Sequence, residues 1–177
     1  MTTAQAPVLA AGLRHSEQFT VESRHTVPEI EPAWPGFQDM PPVLATAMMV
    51  AFIEQTCIMG LQPYLAPGQH TVGIHVDVGH VAATPVGLKV TAEVELVEID
   101  GRALLFKVSC RDDAGLIGEG MHRRAIIDVA RFMQRLQEKS AKTSGGTQTA
   151  GRPRLAIRTR DQDPRSGPAI EVGRLQR

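Results

Sequence analysis

Residues 41–65 read PPVLATAMMVAFIEQTCIMGLQPYL, and this stretch decides the fold. Two prolines precede it, Thr46 can cap or open a helix, and Pro63 stops one. Residues 47–53 are apolar on every side, the pattern of a helix enclosed by other structure. One buried helix is predicted. Within it stands Glu54, the only Asp, Glu, Lys or Arg between Met40 and Val76. A lone ionised carboxylate is costly to bury, so it needs a partner, a proton or a chemical task.

Upstream of the helix, residues 18–27 alternate, with Phe19, Val21 and Val27 on one side and Gln18, Thr20, Glu22 and Arg24 on the other. This predicts a half-buried strand. Residues 28–42 hold five prolines, which argues against regular structure. Trp34, Phe37 and Met40 in that segment can form a flap over an apolar site, or pack on the core as ordinary loop residues.

Downstream, residues 70–81 alternate, with Val72, Ile74, Val76, Val78 and His80 sharing one face and Gly73, His75, Asp77 and Gly79 the other. His80 thus ends an apolar row on the side the helix should cover. Residues 86–99 form the clearest strand pattern, Asp100-Gly101 reads as a two-residue hairpin turn, and residues 102–111 and 116–128 return. Gly118 and Gly120 in the last strand leave room for another backbone or a ligand. A short amphipathic helix over 129–139 closes the pattern. One strand, a long helix and four antiparallel strands in a meander make an α+β chain, a sheet wrapped around one central helix: the hotdog fold. The domain spans 15–139. Residues 1–14 read as a loose lead-in and 140–177 as a disordered basic tail.

Composition narrows the function. A chain of 177 residues suits one domain with a real core. Formal charge is zero overall, which argues against a nucleic-acid binder. The balance conceals an asymmetry. Residues 1–139 carry 11 Lys and Arg against 16 Asp and Glu, a net of −5, and residues 140–177 carry 8 against 3, a net of +5. Two cysteines, Cys57 and Cys110, are too few for a disulfide scaffold, so a reduced, cytoplasmic protein is expected. APVLAAGL near the start lacks the basic lead of a signal peptide, and no stretch is long and apolar enough to span a membrane.

Three polar residues stand at apolar positions or element ends: Thr46, Glu54 and His80. A hydroxyl, a carboxylate and an imidazole are the parts of an acyl-transfer site. Each has a plainer reading. Thr46 can be only a cap, Glu54 can form a structural ion pair with Arg124, and His80 can be a satisfied core histidine. Thr46 and Glu54 are separated by about 12 Å along one straight helix, so either they face opposite ends of a long site that holds substrate and water, or one of them meets residues of a second chain. No metal site is expected, because His70, His75 and His80 are five apart on a strand and point alternately to opposite faces. No Gly-rich phosphate loop or other cofactor motif is present.

The phrases VLATAMMVAFIEQTC, VGIHVDVGHVAATPVGLKVTAEVELVEIDGR and IGEGMHRRAII resemble the hotdog thioesterases related to fluoroacetyl-CoA thioesterase, over about Phe19 to Phe132. The resemblance implies a catalytic triad of Thr46, Glu54 and His80, substrate contacts from Gly73 and Arg124, and a homodimer with its pockets at the subunit interface. Where that family gates its pocket with two phenylalanines, this chain has Phe37 and Met40. A thioether is a softer gate than a ring, so the expected substrate is a short or medium acyl-CoA other than the fluorinated one. Two rivals are an enoyl-CoA hydratase of the same fold and a non-catalytic acyl-CoA-binding protein. The hydratase would want an Asp/His pair, and Asp77 and His80 lie on opposite faces of their strand.

Overall fold

The computed structural model describes residues 7–144. In chain order these form β1 (Arg14–Thr20), a 3-10 turn (Ser23–His25), the one-turn helices α1 (Val27–Ile30) and α2 (Pro35–Gln38), and the long α3 (Thr46–Leu61). A second 3-10 turn (Gln62–Tyr64), β2 (Gln69–His80), β3 (Lys89–Asp100), β4 (Ala103–Asp112), β5 (Gly115–Asp128) and α4 (Val129–Ser144) follow. The strands make one antiparallel sheet in the order β1-β3-β4-β5-β2, with α3 across one face. This is the expected α+β arrangement of a sheet around a single long helix.

The core follows from periodicity. Met49, Ile53, Cys57 and Leu61 recur every fourth residue and line one stripe of α3. They meet the alternate residues Val90, Ala92, Val94 and Leu96 of β3 and Leu104, Phe106, Val108 and Cys110 of β4. Fully burying each of the larger side chains stabilises the fold by about 1.5–3 kcal/mol. The opposite stripe of α3 is not covered within the protomer: Ala47, Ala51, Gln55, Ile58 and Met59 are exposed. The helix is therefore apolar all round but enclosed on one side only.

Several local expectations are corrected. The first strand runs over 14–20 rather than 18–27. After Thr20 the His25 ring turns back, its Nδ1 accepting the Glu22 N–H at 2.9 Å, and this local bond replaces the sheet ladder. The proline-rich segment contains regular turns after all, because Pro28 and Pro35 occupy the first turn of α1 and α2, where a missing N–H costs nothing. Only β3, β4 and β5 form a meander; β2 crosses over to pair with β5 at the sheet edge. The hairpin turn is Gly101-Arg102, one residue later than expected, with Gly101 at φ +56°. α4 extends to Ser144, five residues past its expected end at 139. The tail reading for 145–177 lies outside the described residues.

β2 holds the correction that matters most. A bulge between Gly73 and His75 inserts one residue and reverses the alternation. Register against β5 pairs Thr71 with Ile126, Gly73 with Arg124, Val76 with His122, Val78 with Gly120 and His80 with Gly118. The helix-facing row is thus Thr71, Gly73, Val76, Val78 and His80, and Val72 and Asp77 face away. Gly118 and Gly120 are small because β2 crowds them: a Cβ on Gly118 would come within 2.6 Å of Gly79 O, and one on Gly120 within 2.8 Å of Val78 Cα.

Candidate active site

Thr46 is the first residue of α3, not its cap; Ala45 holds that position. Its hydroxyl therefore does not bond its own helix and instead reaches His80 Nδ1 at 2.8 Å. His80 is the last residue of β2, and its Nε2 is buried with no hydrogen-bond partner among the described residues. An imidazole held at one nitrogen and unpaired at the other keeps a proton-exchange position that the fold itself does not use.

Two helical turns on, Glu54 leans toward β2 and β5. Its Oε1 lies 3.1 Å from Arg124 Nη1 and 3.5 Å from His122 Nε2, and its side chain remains 38% exposed. Oε2 takes no hydrogen bond among the described residues. The Glu54–Arg124 ion pair weighed from the sequence is therefore present. It engages one oxygen and leaves the other open.

Arg124 is 2% exposed and tightly held, with Nε donating to Thr71 Oγ1 at 3.0 Å and Nη2 to Thr71 O at 2.9 Å. His122, also buried, sits beside it with Nε2 3.0 Å from Arg124 Nη1 and Nδ1 2.8 Å from His75 O. A carbonyl only accepts and a guanidinium only donates, so Nδ1 carries the proton and Nε2 is bare. The ring is neutral, and burial holds its pKa below the ordinary value of 6.5. Gly73 completes the site, because any side chain there would run into Glu54 Oε1.

Cys57, one turn beyond Glu54, is a rival nucleophile by type. Burial pushes its thiol up to about 12, so it stays protonated and unreactive. Among the described residues no group of three or more His, Cys, Asp or Glu side chains is placed to hold a metal ion.

The profile of the family described as FlK, fluoroacetyl-CoA-specific thioesterase, matches residues 21–130. The chain belongs to this family. The fluoroacetyl-CoA thioesterase of Streptantibioticus cattleyicolor is 38% identical over 132 residues, which cover 75% of this chain and 95% of that protein. A crystal structure of FlK superposes with a TM-score of 0.74 at 38% identity, covering 75% of this chain and 98% of the other. A variant of FlK in complex with fluoroacetate and CoA gives 0.69 at 40% identity, over 70% and 99%. A thioesterase-superfamily protein of Thermus thermophilus shares the fold, with a TM-score of 0.70 at 21% identity over 80% and 99%. The protein is thus a thioester hydrolase of the hotdog fold.

Within this thioesterase the sequence-named residues fall into three places. Thr46 and His80 are joined directly. Glu54, Arg124 and Gly73 form a second group farther along α3. Phe37 lies on α2, its ring edge-on to Trp34 with centroids 5.2 Å apart, and Met40 just beyond is half exposed. The aromatics of this segment pack on each other rather than on the core. Its base is pinned beside the strand-end loop that follows His80: Leu44 N–H donates to Thr84 O at 2.8 Å, and Val43 bridges Pro85. Sequence reasoning missed His122 and Thr71. The signal was available in HRR, residues 122–124, where His122 and Arg124 share a strand face opposite a helix bearing one acid.

Proposed function

We propose that the protein hydrolyses a short or medium acyl-CoA to the carboxylic acid and CoA, in a site completed by two copies of the chain. The observation that carries this reading is Glu54 held by one oxygen under Arg124, with a separate Thr46–His80 pair whose second imidazole nitrogen is buried and unpaired among the described residues. In the reaction Glu54 Oε2 either attacks the thioester carbonyl or takes a proton from the water that does; both routes need the same unbonded oxygen. The carbon–sulfur bond breaks, the proton taken from water passes to the departing thiolate through His80 Nε2, and on the direct-attack route that same water cleaves the acyl–Glu54 anhydride, so that carboxylate and imidazole both return to their starting forms. Thr46 Oγ1, accepting from Nδ1–H, leaves Nε2 bare to take up and hand on that proton. Gly73 and Arg124 border the acyl end, and Phe37 and Met40 lie on the segment that closes over it.

Two groups about 12 Å apart on one helix do not act on one carbonyl unaided. A second copy, its α3 running the other way alongside, brings its Thr46–His80 pair to Glu54. The surfaces such a homodimer would cover are apolar: Ala47, Ala51 and Ile58 on α3, and Ile74 and Val76 on edge strand β2, which are 54% and 43% exposed. Among the described residues no helix is long and apolar enough to cross a membrane. The free thiols Cys57 and Cys110 fit a cytoplasmic location, which we include in the proposal.

Release of free thiol from a panel of acyl-CoAs of graded length, fluoroacetyl-CoA included, tests the activity. Fast release from one or a few short or medium acyl groups is expected. Hydration of an enoyl-CoA without thiol release, or saturable binding with neither, would reject the proposal for the rival enzyme or the binding protein respectively.

A further inference from the structure

An arginine beside a carboxylate commonly closes on it as a fork, two N–H groups on two oxygens. Arg124 and Glu54 do not pair in that way. One nitrogen, Nη1, meets one oxygen, Oε1. Three of the other four N–H donors of the guanidinium are directed elsewhere: Nε and one Nη2 proton to the two oxygens of Thr71, and the second Nη1 proton to His122 Nε2 at 3.0 Å. His122 can accept that proton only as the neutral ring whose other nitrogen is fixed by His75 O. At 1% exposure the ring has no room to turn away.

We propose that His122 is a positioning residue: by accepting one Arg124 proton it keeps the Arg124–Glu54 contact single and leaves Glu54 Oε2 open to react. This inference rests on Glu54 being the reacting carboxylate. Without the acceptor, an Nη1 proton is left unpaired in a buried site. A small turn of the guanidinium then satisfies it by offering Nη1 and Nη2 to both Glu54 oxygens, which quenches the acid without emptying the substrate pocket. The opposite error is a protonated ring, a second cation against Arg124 with its N–H aimed at Oε1 3.5 Å away. Burial acts against that form, outweighing the bond to the His75 carbonyl and the charge of Glu54 from α3, which both favour it, while Arg124 on β5 and, least, the His75 ring on β2 disfavour it further.

The test compares two substitutions in the full chain. His122→Phe keeps a ring and removes both nitrogens, and His122→Gln sets an amide oxygen near the place of Nε2. We expect the Phe variant to lose about tenfold or more in kcat with KM within about twofold, and the Gln variant to recover to within about threefold of the parent. Thr71→Val, which frees the Nε donor, should repeat the kcat loss and keeps the test open if His122→Phe does not fold. Nitrogen NMR of the parent protein near pH 7 should show His122 as the neutral Nδ1–H tautomer. Full kcat in the Phe variant, equal losses for Phe and Gln, or an imidazolium at that pH would overturn the inference. Failure of the parent to release thiol from any acyl-CoA would instead strike the proposed function, and the NMR result distinguishes that case because it needs no turnover.

Discussion

Gly73 and Glu54 face each other across the gap between β2 and α3 so closely that glycine is the only residue that fits: a single added carbon would overlap Oε1. Gly73 lies in a normal strand conformation and is exposed, so its backbone accepts a side chain, and what stands in the way is the Glu54 carboxylate, with His122 Cε1 next at 3.1 Å. Gly73→Ala should therefore leave the thermal unfolding midpoint near that of the parent while displacing the carboxylate. A misplacement of this size costs on the order of a hundredfold in rate. Steady-state kinetics beside a melting curve checks both halves, and an unaffected kcat would show that Glu54 does not act from its observed position.

The separation of Thr46–His80 from Glu54 leads to a complementation experiment. Glu54→Gln and His80→Ala should each reduce turnover at least a hundredfold, on the scale typical of a lost general acid or base. Unfolded together and refolded as a mixture, they should regain roughly a quarter of parental sites, because half of the dimers are mixed and each mixed dimer has one intact pair. Activity that stays at the level of the separate variants would place all three residues within one subunit's own site.

Met40→Phe examines the segment proposed to close over the acyl end. The half-exposed thioether should be replaceable without loss of stability, within about 0.5 kcal/mol. Acyl preference, measured as kcat/KM across the chain-length series, should shift toward the smallest substrates as the ring narrows the entrance. An unchanged preference means the segment is not a gate.

His122 makes stability depend on pH in a defined direction. Burial holds its folded pKa below the ordinary 6.5 of the unfolded chain. Between those two values the unfolded chain binds more protons, so stability is full above about 6.5 and falls as pH drops toward the folded pKa. Urea midpoints measured from about pH 8 to 5 should decline for the parent, and the decline should be smaller for His122→Phe. Parallel curves would mean that the ring is not neutral in the folded protein.

Much of this was legible in residue order. The buried stripe of α3 and the alternating rows of β3 and β4 fall where their periodicities put them, because burial on one face leaves few alternatives. Glu54 and His80 drew notice as polar residues in apolar company, and both face the site. Less visible was anything that depends on pairing across the sheet. Alternation read along β2 alone put Val72 and Gly73 on the wrong faces, since a bulge shows only in the register with β5. Gly73 inside a strand was the available hint. His122 and Thr71 escaped for a related reason: each is unremarkable in its own segment, and only the partner strand reveals that Arg124 joins them. The uncovered stripe of α3 reads as core in a single sequence, since the pattern does not say whether the cover comes from the same molecule.

The kink at 73–75 has a practical result for anyone comparing or re-engineering this pocket. Positions of β2 that face the helix are odd-numbered before it and even-numbered after it, so a library designed on simple alternation would vary the solvent side of half the strand. Deleting one residue there would restore a regular ribbon and at the same stroke turn either Gly73 or His80 outward, dismantling the site while leaving a protein that still looks well folded.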